Sequence, residues 1–115
     1  MGHFVRGGGL RRTAELEIKV TTHQKGEAQA RPVINRTAST LVVLIHGRLR
    51  LRFPSREILL RSEGDYALWS AGEAHTWQVE ADSRVMSIRW PSRARDQVVA
   101  ARRRPGRGQA LVPVG

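Results

Sequence analysis

The chain has 115 residues, enough for one domain with a single core. It contains no cysteine, so disulfides and thiolate metal sites are excluded. Its formal net charge is +10, with 20 lysines and arginines against 10 acidic residues, which directs attention to anionic partners.

Residues 1–12, with Gly7-Gly8-Gly9, read as a flexible lead-in. Glu15 to Thr21 alternates polar and apolar, the period of a half-buried strand, and its Glu15, Glu17 and Lys19 are assigned to solvent. Lys25-Gly26-Glu27 is a turn, and Arg31 to Ser39 is poorly patterned. Leu41 to Ile45 is apolar on both faces and reads as an interior strand, ended by His46-Gly47. Arg48 to Phe53 alternates almost perfectly: Leu49, Leu51 and Phe53 take one side, and three arginines spaced about 7 Å apart take the other. That arginine face can match a polyanion or simply keep a sheet soluble. Further short strands are expected at Glu57–Leu60, Tyr66–Trp69, Thr76–Glu80 and Val85–Trp90, with turn residues between them. Many short strands at close spacing predict an all-β sandwich or barrel.

The composition changes at Pro91. From there to the C-terminus six arginines face the single Asp96, giving +5 in 25 residues. Ser92 to Arg104 can form one helix with Ser92 as N-cap, although Arg93 and Arg95 in its first turn oppose the helix dipole. The division is therefore a β-barrel over 13–91 and a basic tail over 92–115, part of it helical. No apolar run approaches the roughly 20 residues of a membrane helix. The N-terminus lacks the apolar stretch of a signal peptide, and the expected location is cytoplasmic.

One segment carries a motif. Gly64, Gly72 and His75 stand at the intervals of the second sequence motif of the cupin family, with Ser70 at its proline and Val79 at its asparagine. Gly26 and Gly47 match the two glycines of the first cupin motif. Between them the likeness fails. Thr40 stands where the glutamate belongs, and Pro32 to Arg36, where two histidines belong, has none. From about Lys19 to Trp90 the chain resembles a small single-domain cupin with an intact second motif and a degenerate first. The resemblance implies a jelly-roll barrel, and it makes His75 the one metal-ligand position retained. A single imidazole does not hold a divalent ion against water. His23, His46 and Glu27 are the residues that could rebuild a metal site around His75, and no cofactor is expected.

A pocket in such a barrel would be lined by His75 and, two residues on, Trp77. Tyr66 or Trp69 joins them, depending on which face of that strand turns inward. In Val85–Trp90 either Met86, Ile88 and Trp90 or Val85, Ser87 and Arg89 face the barrel. Arg89, if inward, offers a planar fork to a carboxylate or phosphate. The expected function is binding of an organic small molecule by His75, Trp77, Arg89, Tyr66 and Trp69, without a tightly held metal. One alternative is a cupin enzyme of oxygenase or isomerase type, working through a metal or through His75 as general base. Another is a nucleic-acid or acidic-partner binder acting through the basic tail. The resemblance also implies a homodimer through the outer sheet face. No nucleophile elbow or phosphate-binding glycine loop occurs.

Overall fold

The structure, a computed structural model, describes residues 1–100 and 111–113. Its strands in chain order are β1 (Glu17–His23), β2 (Val33–Asn35), β3 (Ser39–Arg52), β4 (Glu57–Leu60), β5 (Tyr66–Trp69), β6 (Thr76–Trp90), β7 (Gln97–Ala100) and β8 (Leu111–Pro113). All pairings are antiparallel. The large sheet runs β1-β6-β3-β4, with β5 also hydrogen-bonded to β3, and the small one runs β2-β7-β8. The two sheets are laced together by the stretch before and including β2. Gly26 N donates to Val79 O, Gln29 N to Trp77 O and Val33 N to His75 O, each at 2.9 Å.

The backbone of the fold is the long β3–β6 ladder, and its register slips near His46, Gly47 and Arg48. Gly47 makes the slip possible. Its φ of +109° suits glycine, and a Cβ there would collide with Ser83 Oγ and lie 2.5 Å from Ser83 Cα. The slip changes which residues of β3 point inward. Before it, Thr40, Val42 and Leu44 are buried; after it, Leu49, Leu51 and Phe53 are. On the far side of the slip the inner face is apolar, with Leu49, Leu51, Phe53, Leu60 and Val79 in one core cluster. The outer face there is charged: Arg48 and Arg50 both reach Glu80, at 3.0 and 2.6 Å, and Arg50 also bonds Glu57. The arginine row is thus matched by its own carboxylates, and Arg50 above all holds Glu80 below the usual carboxylate range.

Before the slip the outer face is apolar, and the inner face mixes core residues with polar ones. Across four strands the register aligns Ile18, Ile88, Leu41 and Leu68 in one rung, and Val20, Met86, Val43 and Tyr66 in the next. Directly opposed side chains share a sheet face. These eight positions therefore make one uncharged outer patch, in which Val20, Leu68 and Tyr66 are exposed. The matching inner rungs are Glu17, Arg89, Thr40 and Trp69, then Lys19, Ser87, Val42 and Ala67.

Three expectations are corrected here. Glu17 belongs to the inner face and is only 6% exposed, whereas Lys19, of the same phase, is exposed as expected; β1 pairs with β6 in the phase that sets Glu17 beside the inward Arg89. The segment after Pro91 is not helical where it is described. Gln97–Ala100 is a strand paired with β2, because Val98 and Val99 find partners in Ile34 and Val33; the rest of the expected helix, 101–104, lies outside the described residues. Residues 1–12 fold back along β1: Ile18 N donates to Met1 O at 2.9 Å, and Gly2 N to Arg11 O at 3.0 Å. No helix among the described residues is long and apolar enough to cross a membrane.

Candidate functional site

His75 follows the Gly72 turn and enters β6 beside β2. It is 3% exposed, and Val33 flanks it with reciprocal backbone bonds of 2.9 Å. Its ring lies 4.7 Å from that of Trp69 and 5.8 Å from that of Phe53, centroid to centroid. Nδ1 is 3.0 Å from the Glu73 carbonyl. A carbonyl only accepts, so Nδ1 carries the proton and Nε2 is left with a lone pair. Burial lowers the His75 pKa; the Glu73 bond opposes this, and the nearby Arg89 charge adds to the lowering. The imidazole is therefore neutral at pH 7.

Trp69 comes from β5 and is 4% exposed, with an indole Nε1–H that has no partner. Arg89 comes from β6, between Glu17 and Thr40 in the rung. Its Nε is buried and also unpartnered, and no ion pair engages it among the described residues. Glu17, its neighbour, lies 3.4 Å from Lys19 Nζ instead. Asn35 closes the group from β2. It is 1% exposed; Nδ2 donates to Thr40 Oγ1 at 2.6 Å, and Oδ1 has no partner. Buried polar atoms without partners are rare in folded proteins and call for an explanation.

The predicted site residues divide. His75 and Trp69 meet across the inner face, His75 from the Arg52 end of the β3–β6 ladder and Trp69 from the Thr40 end, where Arg89 also lies. Trp77 lies further along β6, partly buried, with its ring 5.2 Å from that of His23. His23 is thus on the inner side of β1, opposite Ser83, and not on the solvent face. Tyr66 does not belong to the site. It is 65% exposed and pairs with Val43 on the outer patch, because Ala67 and Trp69 take the inward phase of β5. Tyr66 instead edges a shallow open concavity of about 570 Å³ at the β4–β5 turn, with Ile58, Leu60 and Asp65. That concavity lacks the convergent buried polar groups gathered around His75.

A metal does not fit this donor set. Thr40 and Asn35, from the stretch that carries the first-motif ligands in cupins, are bonded to each other as neutral groups. His46 is exposed, beside the Gly47 slip, and Glu27 contacts His23 at 3.6 Å on the rim. Among the described residues, no three of His, Asp and Glu gather as a metal site would require. Sequence reasoning did not place Asn35, Thr40 and Glu17 in the site. Counting from Gly47 does reach Thr40, so its position was legible, but its bond to Asn35 depends on β2 and β3 meeting.

No family model matches the sequence, and no curated protein is significantly similar to it. Solved structures do match. A cupin superfamily protein from Desulfitobacterium hafniense superposes with a TM-score of 0.62 at 17% identity, over 70% of this chain and 72% of that one. KdgF from Halomonas gives 0.61 at 17% identity, over 70% and 74%. An uncharacterized conserved protein with a double-stranded β-helix domain, from Klebsiella pneumoniae, gives 0.62 at 16% identity, over 94% and 87%. The fold is that of the cupins, the double-stranded β-helix. At these identities the likeness carries the fold alone.

Proposed function

We propose that the protein binds an organic small molecule at the polar end of its cupin fold, without a tightly held metal. The observation that carries this reading is the set of buried, unpartnered polar atoms around His75: Trp69 Nε1, Arg89 Nε and Asn35 Oδ1. Each costs about 1–3 kcal/mol if nothing meets it. A ligand that meets all three recovers that cost on binding. The apolar end supplies the rigid support, since its core is closed by the chain's own side chains. A thermal-shift screen of small metabolites tests the reading. At least one compound should raise Tm for the wild type and not for Trp69→Phe. A broad library that stabilises neither protein would refute it.

The outer patch supports a second reading, self-association. Its eight uncharged positions form a contiguous apolar surface, the kind that marks an interaction site. A chain of charge +10 repels its copy unless the contact avoids charge. A two-fold axis through the patch would set these rungs against each other and keep Arg48, Arg50 and Arg52 apart. Sedimentation analysis should give a dimer, and Leu68→Lys a monomer. A monomeric wild type at high concentration would overturn this.

A further inference from the structure

If the polar end is a binding site, its chemistry specifies more than a small molecule. We propose that its ligand is a hydroxycarboxylic acid of single negative charge, with the carboxylate on Arg89 and Trp69 and the hydroxyl on Asn35 and His75.

The charge follows from the inner rungs. Glu17, Lys19 and Arg89 are the charged side chains on the inner face of β1 and the adjoining end of β6. Glu17 and Lys19 lie 3.4 Å apart and cancel. Arg89 remains, in register with Glu17 but forming no ion pair with it. Arg89 is half-buried and its Nε–H is buried without a partner, a donor that a bound anion converts into a charge-assisted hydrogen bond. One surplus positive charge suits one carboxylate. A phosphate monoester near pH 7 carries up to two negative charges and would be left half matched.

The hydroxyl follows from the unused hydrogen-bonding atoms. Two are donors, Arg89 Nε–H and Trp69 Nε1–H, and both serve an acceptor-only group such as a carboxylate. Two are acceptors. Asn35 Oδ1 has no partner because its amide nitrogen is committed to Thr40, and His75 Nε2 is unprotonated because Nδ1–H is committed to Glu73. A plain carboxylate offers these acceptors nothing. A hydroxyl donates to one of them and leaves the other for a second hydroxyl or a water. The faces of Trp69 and Phe53 beside His75 give the carbon skeleton an apolar wall.

The test uses the full chain and matched sets of compounds: lactate, 3-hydroxybutyrate, mandelate and salicylate, the same acids without the hydroxyl, the corresponding hydroxyamides, and inorganic phosphate. Calorimetry should show at least one hydroxy acid binding about 10-fold or more tighter than its deoxy partner, with the amides and phosphate weaker still. Arg89→Met should abolish the preference for acid over amide and leave the unliganded Tm unchanged or higher, because it removes a buried donor that has no partner. Binding of amides as tight as that of the acids would overturn the carboxylate assignment while leaving the binding site in place. Equal binding of deoxy acids would overturn the hydroxyl. A fall in the unliganded Tm of Arg89→Met would show that Arg89 is structural and would overturn the proposal. Silence across every set, together with a failed metabolite screen, would refute the binding site itself.

Discussion

The two ends of the β3–β6 ladder are built on opposite rules. Past the Gly47 slip the inner face is leucine, valine and phenylalanine, and the outer face is arginine and glutamate. Before it, the inner face mixes Glu17, Arg89, Thr40 and Ser87 with the core residues Val42, Leu44, Ala67 and Trp69, while the outer face carries isoleucine, leucine, valine and methionine. The first arrangement is what stability alone favours, since buried apolar side chains contribute about 1.5–3 kcal/mol each. The second sets polar and charged side chains among core residues on its inner face and leaves apolar ones on its outer face. A fold can hold such an inversion only when the other end supplies the surplus, and the polar end is therefore where a functional explanation is needed.

The contrast is sharpest in core truncation. Leu51→Ala, at the apolar end, should cost about 3 kcal/mol in urea unfolding, since Leu51 is fully enclosed in the core cluster. Trp69→Phe, at the polar end, should cost about 1 kcal/mol or less. It loses ring area but also removes an indole donor that has no partner. Equal losses would mean that the unpartnered indole donor of Trp69 costs the fold nothing.

The slip that separates the ends gives the next largest effect. Gly47→Ala should destabilise by about 2 kcal/mol or more, because the new methyl meets Ser83 backbone at a φ that alanine resists. If Gly47→Ala unfolds at the wild-type midpoint, the change of phase does not depend on this glycine.

A smaller effect is read through pH. Burial holds the His75 pKa below its ordinary 6.5, so the unfolded chain binds this proton more readily than the folded one. The His75 contribution is then fully present above about pH 6.5 and declines as pH falls toward the lowered folded-state value. Wild-type stability should drop between pH 6.5 and 5 more steeply than that of His75→Gln, whose curve lacks this component. Parallel curves would show that His75 is not buried as a neutral base.

Sequence periodicity was enough for the apolar end. Leu49, Leu51 and Phe53 against Arg48, Arg50 and Arg52 identify both faces, and the Gly64, Gly72 and His75 spacing identifies the turn that delivers the histidine. It failed at the polar end for a definite reason. Alternation reveals that two faces differ, not which one turns inward, and the default of polar residues outward assigns Glu17 to solvent. The same default leaves Tyr66 as a pocket candidate, although Ala67 and Trp69 hold the inner phase. Asn35 was beyond reach for another reason. Its stretch has no periodic pattern, and its role depends on β2 lying beside both Thr40 and the Gly72 turn, where Gly72 N donates to Asn35 O at 2.8 Å. The strand at Gln97–Ala100 was hidden by a short valine pair that fits either a helix or a strand.

The outer patch gives the smallest effect on the isolated chain and a clean separation of causes. Leu68 is already more than half exposed, so Leu68→Lys should shift monomer stability by about 0.5 kcal/mol or less. Its effect should fall on association, since a lysine in one copy would meet the lysine or the apolar rung of the other. The inner and outer inversions then become separable. Leu68→Lys should yield a monomer that still binds the wild-type ligand, while Arg89→Met should yield a dimer that does not. If Leu68→Lys lost the ligand as well, the two faces of this end would be one functional unit, with the outer contact holding β1 and β5 where the inner rungs need them.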